Sequence, residues 1–302
     1  MKTAFSTLGC PGWSWDEIFA TAKDLGLDGI EVRGVENEMF APSIRAFNEK
    51  HLDETRARLE KAGMEIPMLT SGACLGLSGD SGRYMDEAKA YIDLAKKLGT
   101  PYVRVIITPN AAPMEGENIL QVKRLYTELC AYAKGTGVAV LLETSGELAD
   151  SSKMREFMRD VDLETGGVLW DLHHPYRFFG ESPAKTWENI GEWVRYLHVK
   201  DSAMQDGKLV YRMMGYGDVP VFDALKILSD HGYQGYVSLE WLKRWCPDLQ
   251  EPGIVFAHYA SYMGYLKNQL TGDAKGPLAF ANGPFSFSGY HPYRLSIRMS
   301  SP

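Results

Sequence analysis

Four glycines at nearly equal intervals constrain the fold of this chain most strongly. Gly26, Gly63, Gly99 and Gly135 each follow a segment of helical periodicity, and the intervals between them are 37, 36 and 36 residues. Helices commonly end at a glycine in the left-handed conformation, and a strand-like apolar segment follows each of these glycines. The spacing therefore predicts a repeated unit of one strand and one helix.

The same alternation continues through the chain and predicts eight strands and eight helices. The strands are predicted at 3–8, 29–33, 66–70, 102–106, 138–143, 167–171, 194–199 and 236–240. The helices are predicted near 14–25, 47–62, 84–98, 117–134, 152–159, 182–190, 221–231 and 253–269. Ser14 and Glu17 form a capping box at the first helix, and residues 200–220 are interpreted as a long polar loop.

Four of the predicted strands end in a group that can bind a metal ion or move a proton. These groups are Glu143, Asp171, His198 and Glu240. Parallel α/β enzymes present polar groups to a ligand at the carboxyl ends of apolar strands. Two Glu, one Asp and one His suit a divalent metal ion with oxygen-rich coordination.

These strand ends favour a closed (β/α)8 TIM barrel, of the α/β class, over an open doubly wound sheet. An open sheet would not explain functional residues at the ends of four strands, whereas a barrel collects them at one rim. Residues 1–270 are therefore predicted to form a single catalytic barrel. Residues 271–302, rich in glycine and proline, are predicted to be an irregular C-terminal extension that lies on the barrel or on a neighbouring subunit, with a disordered tail as the alternative.

Composition and charge narrow the classes of partner. The formal net charge of −7, without a long run of Lys or Arg, argues against nucleic acid. No apolar run approaches the length of a membrane span, and the N-terminus lacks the pattern of a signal peptide. The four cysteines, at positions 10, 74, 130 and 246, form no CxxC pair and indicate reduced thiols in a cytoplasmic protein.

Five segments together resemble the xylose-isomerase-like TIM-barrel superfamily of sugar phosphate isomerases and epimerases, the AP endonuclease family 2 type. They are LET at 142–144, WDLHHP at 170–175, LHVKD at 197–201, GYGDV at 215–219 and GYQGYVSLE at 232–240. They occur in the family's order, and the resemblance covers roughly residues 1–268.

The resemblance implies that Glu143, Asp171, His198 and Glu240 bind one divalent ion. Mn²⁺ is the expected ion, with Mg²⁺, Co²⁺ or Zn²⁺ as alternatives. In the ketose 3-epimerase branch the two glutamates also flank the substrate carbon, where one removes a proton beside a carbonyl and the other returns it on the opposite face. Glu143 and Glu240 are therefore predicted to be the acid/base pair, and the metal-bound carbonyl is predicted to make the proton removable.

Further side chains near the strand ends are predicted to contact the substrate. His174 is predicted to bind a substrate hydroxyl or transfer a proton, with His173 as its rival and a packed histidine bonded to a backbone carbonyl as the alternative. Lys200 and Arg104 are predicted to meet an oxyanion or phosphate, or to pair with a barrel carboxylate such as Glu31.

The mouth of the barrel is predicted to be shaped by the loops at 34–46, 108–116 and 241–252. Trp13, Trp170 and Trp241 lie near strand ends, where each can face a sugar ring or pack in the core. The sequence argues against the endonuclease branch, because its three-zinc site requires extra histidines. The third and fourth strands end near Thr70 and Ile106 instead, and the segment after His198 holds none.

The predicted function is a metal-dependent ketose or keto-sugar isomerase or epimerase that abstracts a proton next to a metal-bound carbonyl. The alternative is a metal-dependent lyase on an oxidised sugar or cyclitol, like inosose or dehydroshikimate dehydratases or the catalytic subunit of C-glycoside deglycosidases. Both reactions begin with the same proton removal. The predicted partner is a small sugar; the family also implies a homo-oligomer, and a deglycosidase would add a partner subunit.

Overall fold

An eight-stranded parallel sheet forms the centre of the protein, for which a computed structural model describes residues 1–77 and 79–271. In chain order the strands are β1 (Lys2–Ser6), β2 (Gly29–Glu31), β3 (Met68–Cys74), β4 (Tyr102–Ile106), β5 (Ala139–Glu143), β6 (Gly166–Asp171), β7 (Val194–Val199), β8 (Asp201–Gln205), β9 (Lys208–Arg212) and β10 (Tyr236–Leu239). The parallel sheet has the order β2-β1-β10-β7-β6-β5-β4-β3, while β8 and β9 pair with each other as a hairpin.

The two edges of this sheet meet, so the sheet forms a nearly closed barrel. Parallel bridges join Gly29 to Glu65 and Val32 to Leu69, and the Val32 amide donates a hydrogen bond to the Met68 carbonyl over 3.0 Å. Closure leaves no long open edge among these strands. The predicted (β/α)8 TIM barrel is confirmed.

Nine α-helices are present among the described residues. They are α1 (Trp15–Asp24), α2 (Leu52–Ala62), α3 (Ser81–Leu98), α4 (Ile119–Ala133), α5 (Ser151–Met158), α6 (His173–Phe179), α7 (Pro183–Ile190), α8 (Val221–Asp230) and α9 (Pro252–Thr271). All of them except α6 coincide with predicted helices, within a few residues at each end. Within the same part of the chain, no helix has both the length and the apolarity that crossing a membrane requires.

Local capping signals determine where several of these helices begin and end. The Ser14 side chain and the Glu17 backbone and side chain form the predicted capping box of α1. The four regularly spaced glycines all adopt the left-handed conformation, with φ between 65° and 75°. A side chain is strained in that conformation, and this explains why glycine recurs at each helix end.

The barrel interior is filled from its N-terminal end by an apolar layer. Its members are Ala4, Met68, Ala139, Leu141, Leu169, Tyr196 and Tyr236. Since side chains alternate along a strand, the residue two positions later points into the same interior, one layer closer to the C-terminal rim. Glu143 thus follows Leu141, and His198 follows Tyr196. The apolar layer therefore forms the floor on which the polar strand ends stand.

The predicted long polar loop after β7 is wrong, because this stretch contains the β8–β9 hairpin. Asp206 and Gly207, between the two strands, have φ values of 51° and 73°. Two positive φ angles characterise the tight hairpin turn that Asp-Gly favours. The buried Asp201 carboxylate then accepts hydrogen bonds from the backbone amides of Ser202, Gly215, Gly217 and Val219. These bonds fold the chain back towards α8.

The predicted C-terminal extension, residues 271–302, lies outside the described residues except for Thr271, the last residue of α9. The division into a barrel at 1–270 and an extension therefore stays a prediction.

Substituting Gly63 by Ala should lower the free energy of unfolding by about 1 kcal/mol, because alanine is strained at a φ of 65° although nothing lies within 4 Å of its Cβ. The matched control is Gly264→Ala in the exposed middle of α9, where Cβ also meets nothing within 4 Å. That change should raise stability by up to about 1 kcal/mol. Equal effects of both changes in urea unfolding would contradict the conformational explanation.

Candidate active site

Four buried side chains from four neighbouring strands converge at the C-terminal end of the barrel. Glu143 ends β5, Asp171 ends β6, His198 lies in β7 and Glu240 follows β10 directly. These strands are consecutive in the barrel, and one ligand atom from each residue lies within 4.8 Å of the others. The structure thus brings together the four residues that the sequence predicts as metal ligands, and we refer to them as the acidic cluster. Their role as ligands stays a prediction.

The imidazole of His198 indicates that a cation fits the acidic cluster. Its Nε2 donates a hydrogen bond to Glu31 Oε2 over 2.9 Å, because a carboxylate can only accept. Its buried Nδ1 has no hydrogen-bond partner among the described residues, and it lies 3.8 Å from Asp171 Oδ2 and 3.7 Å from Glu240 Oε1. A divalent ion bound by this nitrogen and the three carboxylates would satisfy all four groups.

The carboxylates also affect the protonation of His198. Burial by itself lowers the pKa of His198, but Glu31 and then Glu240 raise it by more, to about 9. In the absence of a cation the imidazole is therefore protonated at neutral pH. A proton and a divalent ion compete for Nδ1.

Two buried cations pair with the carboxylates of the acidic cluster. Lys200 Nζ contacts the Asp171 carboxylate and lies 2.5 Å from Glu240 Oε2, and Arg104 Nε lies 3.3 Å from Glu143 Oε2. Burial raises the pKa of Glu240, but the positive charges of Lys200 and His198 lower it by more, so the net shift is downwards. The predicted alternative of ion pairs is therefore present for both cations. Glu31 is the wrong partner, because it bonds to His198.

The two adjacent histidines have different surroundings. His174 Nδ1 donates to the Thr144 carbonyl oxygen over 2.8 Å, so its Nε2 carries the lone pair, 3.5 Å from Asp171 Oδ2, and its ring lines the cavity above the cluster. His173 Nε2 is 2.9 Å from Ser202 Oγ instead, and burial lowers the pKa of His173 to about 2. His174 is therefore the one that can meet a ligand, and it also makes the backbone bond predicted as the alternative.

His173 and His174 also form a second group of metal-ligand type with Asp171. This group shares Asp171 with the acidic cluster, and both histidines already bond to other residues. The acidic cluster has the better set of free ligand atoms.

A cavity of about 530 Å³ opens above the acidic cluster. Two of the three predicted loops line it, through residues 108–111 and through Leu242, Trp245 and Cys246, whereas the loop at 34–46 does not. Sequence reasoning missed Tyr84 of α3 and Tyr211 of β9, which also line it. Aromatic residues in the first turn of a helix and within a hairpin give no local signal that they face a cavity.

The three tryptophans that the sequence places near strand ends pack in the protein instead of facing the cavity. Trp170 and Trp241 are buried, and Trp13 packs edge-on against Phe256 in the core. Trp245 also lines the cavity, and 57% of its surface is exposed.

Comparisons with known proteins agree with this geometry. A family model described as the xylose isomerase-like TIM barrel matches residues 19–257. A fructoselysine 3-epimerase of Shigella flexneri is 25% identical over 252 residues, which cover 80% of this chain and 90% of the relative.

Solved structures show the same fold at lower identity. The crystal structure of the probable 3-DHS dehydratase AsbF of Bacillus anthracis has a TM-score of 0.71 at 18% identity, covering 87% of this chain and 99% of that one. The crystal structure of a xylose isomerase-like TIM barrel protein of Mycobacterium smegmatis in complex with magnesium has a TM-score of 0.68 at 17% identity, covering 89% and 97%.

The contact between Glu31 and His198 provides a test of the metal centre. Glu31→Gln should weaken Mn²⁺ binding about 10- to 100-fold, because the amide is a poorer acceptor and no longer holds Nδ1 towards the cluster. Isothermal titration calorimetry with Mn²⁺ measures the effect. Glu87→Gln is the control, because Glu87 lines the same cavity but bonds to the Gly72 amide. Equal Mn²⁺ affinities of Glu31→Gln and the unchanged protein would refute the arrangement.

Proposed function

This chain belongs to the xylose isomerase-like TIM barrel family, and on that premise we propose that it is a divalent-metal-dependent isomerase or epimerase of a ketose or keto sugar. The observation that carries the proposal is the placement of Glu143 and Glu240. They come from β5 and β10, on either side of the strands that supply Asp171 and His198. Two carboxylates that reach one point from different sides suit proton removal and proton return at one carbon.

The metal would supply the electrostatic part of the reaction. The acidic cluster would hold a divalent ion, and that ion would supply Lewis-acid polarisation of a sugar carbonyl and charge stabilisation at the carbonyl oxygen. Mn²⁺ is the proposed ion, and Mg²⁺, Co²⁺ or Zn²⁺ suits the same three carboxylates and one imidazole.

The protein side chains would carry out the proton transfers. One of Glu143 and Glu240 takes the proton from the carbon beside the carbonyl, and the other delivers a proton to the opposite face. Lys200 holds the Glu240 carboxylate in position through a buried ion pair. His174 Nε2 accepts a hydrogen bond from a substrate hydroxyl, since Nδ1 is held by the Thr144 carbonyl.

The comparison with fructoselysine 3-epimerase supports an epimerase over a lyase. At 25% identity over most of both chains it is a closer match than the solved structures described above. The lyase alternative shares the first proton removal, so the outcome after that step separates the two. We further propose a cytoplasmic homo-oligomer, with a partner subunit only if the enzyme is a deglycosidase.

Hydrogen exchange in D₂O tests the proposed reaction. The Mn²⁺-loaded protein should incorporate deuterium at carbon into a ketose, an inosose or a 3-oxo-glycoside, detected by mass spectrometry and NMR. Retention of all oxygen atoms identifies an isomerase or epimerase, and release of water or aglycone identifies a lyase. If none of these compounds incorporates deuterium, proton abstraction beside a carbonyl is refuted.

Glu143→Gln should reduce this exchange about 100- to 10,000-fold, because the amide cannot accept the proton. Substrate binding should remain measurable by calorimetry, and the Mn²⁺ content of each preparation is determined in parallel. Glu147→Gln is the matched control, because Glu147 lies four residues further on and pairs with Lys153 away from the cavity. Full exchange in Glu143→Gln would exclude Glu143 as a base.

The adjacent histidines provide a second matched pair. His174→Gln should lower kcat/KM about tenfold or more, because it loses the acceptor nitrogen that faces the cavity. His173→Gln should lower the melting temperature and affect kcat/KM less, because His173 bonds to Ser202 outside the cavity. The opposite ranking in steady-state kinetics and thermal unfolding would assign the substrate contact to His173.

A further inference from the structure

Two arginines that line the cavity make no side-chain hydrogen bond to any described residue. Arg104, only 5% exposed, lies 3.3 Å from Glu143 Oε2, but its buried Nε has no aligned acceptor. Arg33 stands two residues after Glu31, the last residue of β2, and its side chain lines the same cavity. Unlike Arg104 or Lys200, Arg33 has no carboxylate of the described chain within ion-pair distance.

The lack of a side chain at Gly72 lets Arg33 and Glu87 approach the backbone closely. A Cβ on Gly72 would lie 3.1 Å from Arg33 Nη2 and 3.2 Å from Glu87 Oε1. The Glu87 carboxylate accepts a hydrogen bond from the Gly72 amide over 2.6 Å, so it is bonded to the backbone rather than to Arg33. We refer to Arg33, Gly72, Glu87 and Arg104 as the arginine subsite.

The positive charge of Arg33 is compensated only in part inside the protein. Burial, and then the neighbouring Arg104, lowers the pKa of Arg33, whereas the more distant Glu87 and Glu240 raise it by less. A partly buried guanidinium without an ion-pair partner is costly, and structural arginines normally acquire a carboxylate or a carbonyl. Arg33 stays charged despite the shift, because an arginine pKa lies far above neutral pH. A partly compensated charge that lines a cavity is typical of a site that binds a ligand of opposite charge.

The geometry of the group narrows the class of ligand. A guanidinium is planar and presents parallel N–H donors, which match the oxygen atoms of a carboxylate or a phosphate. A neutral sugar hydroxyl can accept a hydrogen bond but does not compensate the positive charge of Arg33. The cavity volume of about 530 Å³ leaves room for a substrate that reaches from the acidic cluster to the arginine subsite.

We propose that Arg33, assisted by Arg104, binds a carboxylate or phosphate group of the substrate, so that the substrate is an anionic ketose or keto sugar. This inference rests on the proposed function, which places the carbonyl of the sugar at the acidic cluster. Arg104 contacts Glu143 and therefore lies between the reacting carbon and the anionic group. Arg33 is then the residue that determines specificity, because it has no ion-pair partner in the described chain.

Calorimetric titration of the Mn²⁺-loaded protein with three related ketoses tests the proposal. D-fructose is the neutral probe, D-fructose 6-phosphate carries a phosphate and 5-keto-D-gluconate carries a carboxylate. At least one anionic ketose should bind tenfold or more tightly than D-fructose, and the comparison of the two identifies the anion. Binding of all three within threefold of one another would overturn the proposal.

Substitution of Arg33 provides the specific test. Arg33→Gln should reduce the preference for the anionic ketose to threefold or less, and Arg33→Lys should retain part of it. Arg83→Gln is the matched control, because Arg83 lines the cavity rim but is 69% exposed and pairs with Asp80. If Arg83→Gln removes the preference as fully as Arg33→Gln, the preference comes from the general positive potential of the cavity, and the arginine subsite is refuted.

Two controls keep this result independent of folding and of the proposed reaction. Arg33→Met, which keeps the apolar stem, replaces Arg33→Gln if circular dichroism shows that the latter is unfolded. Deuterium exchange is measured with the same three ketoses. Anion-selective binding without exchange would sustain the arginine subsite and remove the proposed reaction, whereas exchange without anion selectivity would do the reverse.

Discussion

The convergence of three buried carboxylates is the constraint on which the rest of the rim depends. Glu143, Asp171 and Glu240 are buried and place oxygen atoms within 4.8 Å of one another, where like charges repel strongly. The barrel compensates with Lys200, Arg104 and the imidazole of His198, each held at or beside a strand. Glu31 adds a further negative charge behind His198. This distribution is costly for a purely structural core, and it is efficient for binding a multivalent cation.

Placement of these groups on strands explains how such a costly cluster keeps its geometry. The residues two positions before Glu143, Asp171 and His198 belong to the apolar layer that fills the barrel below them. Hydrogen bonds between neighbouring strands fix the height of each side chain, and Asp171 lies directly beside His198 in the register of β6 and β7. A rigid floor and a fixed register hold the ligand atoms more closely than loops would.

The sequence predicts those parts of the molecule that depend on local or periodic signals. The closing glycines reveal the repeat, and the polar residues after apolar strands reveal which groups share a rim. The Asp206-Gly207 turn also carries a local signal, and its hairpin could have been predicted from it. Arg33 is different, because strand alternation after Glu31 places it inside the barrel, but only the fold shows that no carboxylate within residues 1–77 and 79–271 lies at ion-pair distance from it. Tyr84, Tyr211 and Trp245 likewise face the cavity because of tertiary packing.

The groups on the strand ends and the cavity residues on the connecting segments differ for a physical reason, which bears on how barrels of this kind diversify. In the proposed reaction, the groups that remove and return the proton must surround one carbon and one carbonyl, so adjacent strands suit them. The other residues that line the cavity lie further out, on the β3–α3 segment, the β8–β9 hairpin and the loop after β10, where they would meet the remainder of a substrate. These segments change without disturbing the strand register, because their side chains contribute little to the barrel floor. Arg33 stands at the boundary, just after β2, where its side chain lines the cavity. A charge at this position would select among substrates, as proposed, while leaving the acidic cluster intact.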